Sequence, residues 1–184
     1  MTLIDEIRAT PGQAPTFILI HLGCLLVLVA GASWEYAAVF ATTYLARGFG
    51  ISAGYHRYFS HRSFKTGRAF QFILALLGTM AIQKGVLWWA AHHRHHHLEA
   101  DEDTDIHSPS RDGFFWAHMG WSLSTRHQET DWNRVRDFRN YPELVWLNEN
   151  FVVPPLALAV GLYLIGGLPW LVWGFFLSTW PSGM

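Results

Sequence analysis

Two stretches carry most of the residues able to do chemistry. Gly54-Tyr55-His56-Arg57-Tyr58-Phe59-Ser60-His61-Arg62-Ser63-Phe64 and Trp88-Trp89-Ala90-Ala91-His92-His93-Arg94-His95-His96-His97 together hold seven of the eleven histidines. Neutral imidazole is the commonest protein ligand for a transition metal. On a helix His93, His96 and His97 stand at i, i+3 and i+4 on one face, and so do His92, His95 and His96, so spacing alone does not choose between the triplets. His56 and His61, five apart, point about 140° from one another on a regular helix and converge only if that helix ends or bends between them. Five or more imidazoles with no cysteine and no clear carboxylate triad favour iron, copper or zinc over calcium or magnesium. A histidine-rich loop without a fixed site is the plain alternative. An expression tag is a second, against which an internal run broken by Arg94 speaks.

Both patches end apolar segments, and the bilayer is the expected solvent. Half of the 184 residues are apolar, with 10 Trp and 13 Phe, and the net charge is −1 with no basic face, which excludes nucleic acid as a partner. One cysteine, Cys24, rules out an intramolecular disulfide and gives no metal–thiolate pattern. Residues 1–14 form a polar tail, with a turn of helix at Leu3 to Arg8. The run Pro15 to Ser33, at ~1.5 Å per residue, is long enough for a first crossing of a ~30 Å hydrocarbon core. Its end, Ala30-Gly31-Ala32, resembles a signal-peptide cleavage site. Asp5 and Glu6 before it are the wrong charge for such a leader, and a second apolar run follows at once. His21 inside this span reads as a packed polar residue.

Trp34 and Glu35 make an interfacial corner, and Tyr36 to Ala53 form a second span in which Arg47 should sit near the exit or snorkel to it. Arg57, Arg62, Lys65 and Arg68 follow, so the positive-inside rule puts the first histidine patch on the cytoplasmic side. The next segment, Ala69 to Ala91, has a clean apolar core only from Phe70 to Ile82, which suits an interfacial or re-entrant helix. A full crossing there would put the two patches on opposite sides of the membrane. Residues 98–150 are polar, with an acidic run (Glu99, Asp101, Glu102, Asp103, Asp105) able to hold histidine N–H groups from outside. An aromatic surface helix is expected over Gly113 to Trp121, and a soluble helical piece over Asp131 to Glu149. Phe151 to Ile165 is a third crossing that begins on Pro154-Pro155. Gly166-Gly167-Leu168-Pro169 turns the chain into a fourth apolar run, Trp170 to Trp180, too short to span.

These residues carry a resemblance. Gly-Tyr-His56-Arg-Tyr-Phe-Ser-His61-Arg-Ser-Phe-Lys and Trp89-Ala-Ala-His-His93-Arg-His-His96-His97, about 31 residues apart, resemble the first two histidine boxes of the membrane-bound fatty-acid desaturases, specifically the acyl-CoA Δ9 (stearoyl-type) group. The likeness runs from about residue 35 to 178. It implies metal ligands at His56, His61, His93, His96 and His97. It further implies a cytoplasmic di-iron centre that uses O₂ to remove two hydrogens from an unactivated acyl chain. Gln83 and Trp89 match positions that shape the acyl channel. The implied partners are a fatty acyl-CoA or other acyl carrier, O₂, and an electron donor such as cytochrome b5 or a ferredoxin with its reductase.

Departures accompany the match. The family's further ligands, an asparagine-histidine pair after the fourth span and a third histidine box, have no counterpart, so the resemblance implies a single desaturase-like domain over residues 1–184, truncated within the fourth span and inactive alone. His92 replaces an acidic residue of the animal enzymes near the CoA headgroup. The expected fold is an all-α, multi-pass integral membrane protein: transmembrane helical hairpins with an interfacial or re-entrant helix and a cytoplasmic histidine-box cap. Other readings of the same residues are a histidine-box hydroxylase acting on lipids or alkanes, and a non-enzymatic membrane metal-binding or transport protein. A transporter should carry ionisable ligands at mid-membrane, where this chain has only His21.

Overall fold

A computed structural model describes residues 13–99, 113 and 128–179. The suggested helical turn at Leu3 to Arg8, the acidic residues 101–105, most of the aromatic stretch 113–121 and the last residues, 180–184, lie outside them. All regular structure among the described residues is helical.

The first apolar run forms α1 (Gln13–Leu25) and the short α2 (Val27–Ala30). The single crossing expected over Pro15 to Ser33 is therefore interrupted: the Leu26 N–H donates to the Gly23 carbonyl three residues back, which tightens the turn and breaks the regular ladder. Its leucines face outward, Leu28 being 84% exposed. Ser33 caps α3 (Trp34–Phe49) by accepting from the Tyr36 N–H, and Glu35 in the first turn suits the positive end of the helix dipole.

Arg47 stands in the last turn of α3, near the end of the second apolar segment. Instead of snorkelling to an interface it is 1% exposed. Its Nε donates to the Thr43 carbonyl at 3.2 Å, and its two terminal nitrogens donate to the hydroxyls of Ser178 and Thr179. A buried cation survives when its donors are taken up, and here the chain supplies acceptors from a helix far away in sequence.

From α3 the chain runs without a break into a π-helix, Gly50–Ser60, which carries the first histidine patch. It packs against α4 (Arg68–Thr79) at van der Waals range of backbone on backbone: a Cβ on Gly50 would lie 2.3 Å from the Gly78 nitrogen, and one on Gly54 would lie 2.9 Å from the Leu74 carbonyl oxygen. At 12 residues α4 is about 18 Å long, below the ~30 Å of a hydrocarbon core. It buries Leu74, Ala75 and Gly78 while exposing Phe70 and Ile73. The chain then turns back through Ile82 and Lys84, both at positive φ (61° and 64°), into α5 (Val86–Glu99), which carries the second patch.

Residues 132–140 form successive turns, and helix begins only at α6 (Pro142–Glu149), so the helical piece expected from Asp131 is shorter than its polarity suggests. Val153–Leu177 is the one described stretch long and apolar enough to cross a membrane, and of its most apolar 18-residue window, mean hydropathy 1.9, only 11% is buried. It is not straight. α7 (Val153–Leu171) leaves helical geometry at Gly167 (φ 65°, ψ −156°), and a second π-helix follows at Val172–Leu177. A Cβ on Gly174 would lie 3.0 Å from Leu162, twelve residues earlier. In a continuous helix those residues would be about 18 Å apart, so the chain reverses at the Gly166–Pro169 turn. The returning strand of helix runs alongside α3, from the Trp170–Glu35 hydrogen bond at one end to Ser178 against Arg47 at the other.

The core gathers at the histidine end. Tyr55, Phe59, Leu74, Val86, Leu87, Val135, Leu144 and Leu147 are buried in one cluster that unites the π-helix, α4, α5, α6 and the 132–140 turns.

Candidate metal centre

The π-helix explains how two histidines five residues apart come together. Its hydrogen bonds run from residue i+5 to residue i, so the coil is wider than an α-helix and the fifth residue returns above the first. The His61 N–H donates to the His56 carbonyl at 3.1 Å, and the two imidazole rings lie 4.6 Å apart, edge to face. From α5, His93 comes within 4.9 Å of the His56 ring and His97 within 4.5 Å of the His61 ring. One ring nitrogen from each of His56, His61, His93 and His97 falls in a set whose members all lie within 4.8 Å of one another.

The remaining histidines of the second patch are placed differently. His96 stands beside the set, its ring 5.6 Å from His97 and 6.4 Å from His93. His92 turns away, with Nδ1 2.9 Å from the Trp88 carbonyl, and His95 faces Glu99 at 3.3 Å. Glu99 is the described member of the acidic run, and Arg134 reaches the same oxygen at 3.3 Å.

Burial and neighbouring charge disfavour protonation at two of the four rings. Burial and the neighbouring imidazoles push the His93 pKa down to about 3. Burial, His56, His97 and the Arg94 guanidinium lower that of His61. Protons therefore bind less readily at His93 and His61 than at a free imidazole, and His93 Nε2 lies 3.0 Å from His97 Nε2. The donor chemistry fits a transition metal: four imidazoles and no thiolate, gathered in one small volume.

Gln83 and Trp89 meet next to this set. Trp89 Nε1–H donates to Gln83 Oε1 at 3.2 Å, the Trp89 ring stacks on His93 at 4.5 Å, and it tilts against Tyr55 at 5.6 Å. Gln83 lies between the two positive-φ residues, so its position depends on a backbone conformation that branched Ile82 adopts at a cost of about 1–3 kcal/mol. Nearby, on the Trp88 side of α5, a cavity of about 70 Å³ is lined by Lys84, Gly85, Trp88, Gln128, Thr130, Asn148 and Phe151. The Lys84 ammonium there donates to Gln128 Oε1 at 2.8 Å and sits 4.2 Å from the Trp88 ring centre, and burial lowers its pKa to about 8.

Sequence reasoning passed over Arg94 and Asp137. Arg94 interrupts the histidine run, and a permanent charge among neutral ligands is the signal that could have found it. Asp137 has no such signal; its role arises only from tertiary contact. Burial alone would raise its pKa, but hydrogen bonds from Arg94 and the charges of Arg94 and Arg62 hold it below the usual carboxylate range.

A helical chain with bare apolar surface at one end and an imidazole set able to hold a metal at the other has the features of a membrane metalloprotein. The particular family follows from sequence comparison. The family model described as fatty acid desaturase matches residues 17–182. An sn-1 stearoyl-lipid 9-desaturase of Anabaena variabilis is 36% identical over 168 residues, covering 89% of this chain and 61% of the relative. A chloroplastic palmitoyl-monogalactosyldiacylglycerol delta-7 desaturase of Arabidopsis thaliana is 36% identical over 146 residues, 77% of this chain and 39% of the relative. An acyl-CoA 5-desaturase of Anemone leveillei is 33% identical over 171 residues, 89% and 53%. The chain belongs to the fatty acid desaturase family. It spans about half the length of the curated relatives it matches.

Proposed function

We propose that this chain forms the membrane-embedded, metal-binding part of a fatty-acyl desaturase that inserts a double bond into a saturated acyl chain, at the Δ9 position by analogy with the stearoyl-lipid relatives. The observation that carries the reading is the convergence of His56, His61, His93 and His97 from two separate segments on one small volume. His96, beside them, is the fifth proposed ligand. Bound iron, as a di-iron centre, would supply the O₂-dependent oxidising power that an unactivated C–H bond requires.

The protein's own contribution is placement. The π-helix and α5 fix the separation of the imidazoles, and the Gln83–Trp89 pair beside His93 positions the acyl chain against the site. The ready-made turn at Gln83 gives a substrate channel a bend. The carrier of the acyl chain is proposed to be CoA or a membrane lipid; both occur in the names of similar proteins. O₂ and an electron donor such as cytochrome b5 or a ferredoxin complete the reaction.

The same contacts support the topology we propose. Both histidine patches lie on one side of the membrane, the cytoplasmic side by the distribution of Arg57, Arg62, Lys65 and Arg68. In this arrangement α1–α3 and the two arms of the 153–179 segment are membrane hairpins, α4 is interfacial or re-entrant, and the described helices belong to one desaturase domain.

The test is to express the chain, together with the longest reading frame that contains it, in iron-supplemented membranes. Iron content and O₂-dependent unsaturation would be measured on stearoyl-CoA and, separately, on stearoyl lipid. Iron retained by wild-type protein and lost from His93→Ala, with a double bond formed by the iron-containing form, supports the proposal. A protein that retains iron and oxidises neither substrate would transfer the reading to a non-enzymatic metal-binding membrane protein.

A further inference from the structure

We infer that Arg94, oriented by Asp137, is the positioning residue that sets the separation between the two histidine patches. The inference rests on the proposed metal-binding role of those histidines and adds a residue that does not touch the metal.

Arg94 sits on α5 directly after His93. Its side chain crosses to the end of the π-helix, where Nε donates to the Ser60 carbonyl at 3.2 Å and Nη2 donates to the Phe59 carbonyl. These are the last carbonyls before His61, at a helix terminus where backbone acceptors lack partners within the helix. A cation at that terminus also suits the negative end of the helix dipole. The guanidinium is thus a cap on the coil that carries His56 and His61, supplied by the coil that carries His93 and His97.

The other side of the fork is held as firmly. Nη1 donates to Asp137 Oδ1 at 3.0 Å and to the Arg134 carbonyl, and Nη2 donates to Asp137 Oδ2 at 2.9 Å. All five N–H donors of the guanidinium are therefore used, two of them in a bidentate pair with a carboxylate. The Phe138 ring, 5.7 Å away, packs on both Tyr58 and Phe59 and closes the same corner. Planarity makes the arrangement rigid: the bond to Asp137 fixes the plane in which the bonds to Phe59 and Ser60 can form. A lysine has three donors on a flexible stem and cannot reproduce that plane.

Cobalt(II) is the probe, because its visible spectrum reports ligand number and symmetry without requiring turnover. Purified wild-type protein, Arg94→Gln, Arg94→Lys, Asp137→Asn and the surface variant Arg68→Gln would be titrated with cobalt(II). Helix content would be followed by circular dichroism.

Contacts that orient ligands from outside the metal typically cost about 10–100-fold in metal affinity when removed. The expected result is a loss in that range for Arg94→Gln and Arg94→Lys, about 10-fold for Asp137→Asn, and an altered visible spectrum in all three. Arg68→Gln should stay within about two-fold of wild type, because its guanidinium pairs with Glu143 on the open surface and not with either histidine helix. If wild type binds cobalt and the folded Arg94 and Asp137 variants match it in affinity and spectrum, the positioning role is wrong while the metal site stands. If Asp137→Asn and both Arg94 variants lose their helix content, the pair is a folding strut and the inference is equally overturned. Failure of wild type itself to bind cobalt refutes the metal reading and this inference with it.

Discussion

The two histidine-bearing helices reach the same point by opposite means. The π-helix is located by its backbone, pressed against α4 where Gly50 and Gly54 leave no room for a side chain. α5 is located by polar side chains from elsewhere: Asn148 Oδ1 accepts from the Trp88 N–H at 2.7 Å near its start, and Arg94 ties its middle to Asp137. The difference teaches that one arm of the site is sensitive to volume and the other to polarity. Substitutions that add a methyl group should damage the first, and substitutions that delete a hydrogen bond should damage the second.

The largest effect should come where the two arms meet. His93→Ala removes one of the two half-buried rings of the set and is expected to reduce metal affinity by more than the about 10–100-fold of an outer contact, read by equilibrium titration. Next is Gly50→Ala, whose Cβ would press on the Gly78 nitrogen and the Leu77 carbonyl carbon, main-chain atoms that cannot swing away. Overpacking of this kind costs about 1–3 kcal/mol, to be seen as a lower thermal midpoint in detergent. An unchanged midpoint would show that α4 yields, and the contrast between the arms would lose its first half.

Asn148→Ala tests the second half. It removes the acceptor at the start of α5 and the contact of Nδ2 with Thr130 at 3.0 Å, and should cost about 1 kcal/mol, as lost helix caps do. Asn148→Asp, which keeps the acceptor, should recover most of it.

The smallest effect belongs to Glu143, where Arg68 donates twice at 2.7 Å on an open surface. The hydrogen bond and charge of Arg68 lower the Glu143 pKa. A carboxyl whose folded pKa is depressed contributes stability above its unfolded pKa of about 4.3, lost as pH falls through the folded value. The midpoint difference between wild type and Glu143→Gln should therefore be small at pH 7 and vanish once the pH has fallen below the folded pKa. A difference that persists in acid would mean that the pair contributes through packing.

Much of this arrangement can be read from residues. Histidine patches at the ends of apolar runs, the breaker sequence Gly166–Pro169 and the short apolar core of α4 all depend on local chemistry, and the structure has matching features in each place. The pitch of the first patch could not be read. A five-residue spacing is compatible with a bend, a helix end or a π-coil, and tertiary packing of Gly50 and Gly54 on α4 accompanies the last. The neighbourhood of Arg47 was equally hidden, because Ser178 and Thr179 look like ordinary polar residues until the chain has folded back. Asp137 reads as one more surface acid, and only its contact with the histidine helix distinguishes it.

That fold-back has a consequence for biosynthesis. Arg47 leaves the ribosome 131 residues before Ser178. At about 5–20 residues per second, roughly 7–26 seconds of synthesis separate the cation from its acceptors. During that interval the second apolar segment carries an arginine whose insertion penalty is about 2.5–3.5 kcal/mol if it enters the bilayer alone. The last helix therefore does more than complete a bundle: its arrival discharges a debt incurred early in translation, and the order in which segments settle is written into a single side chain.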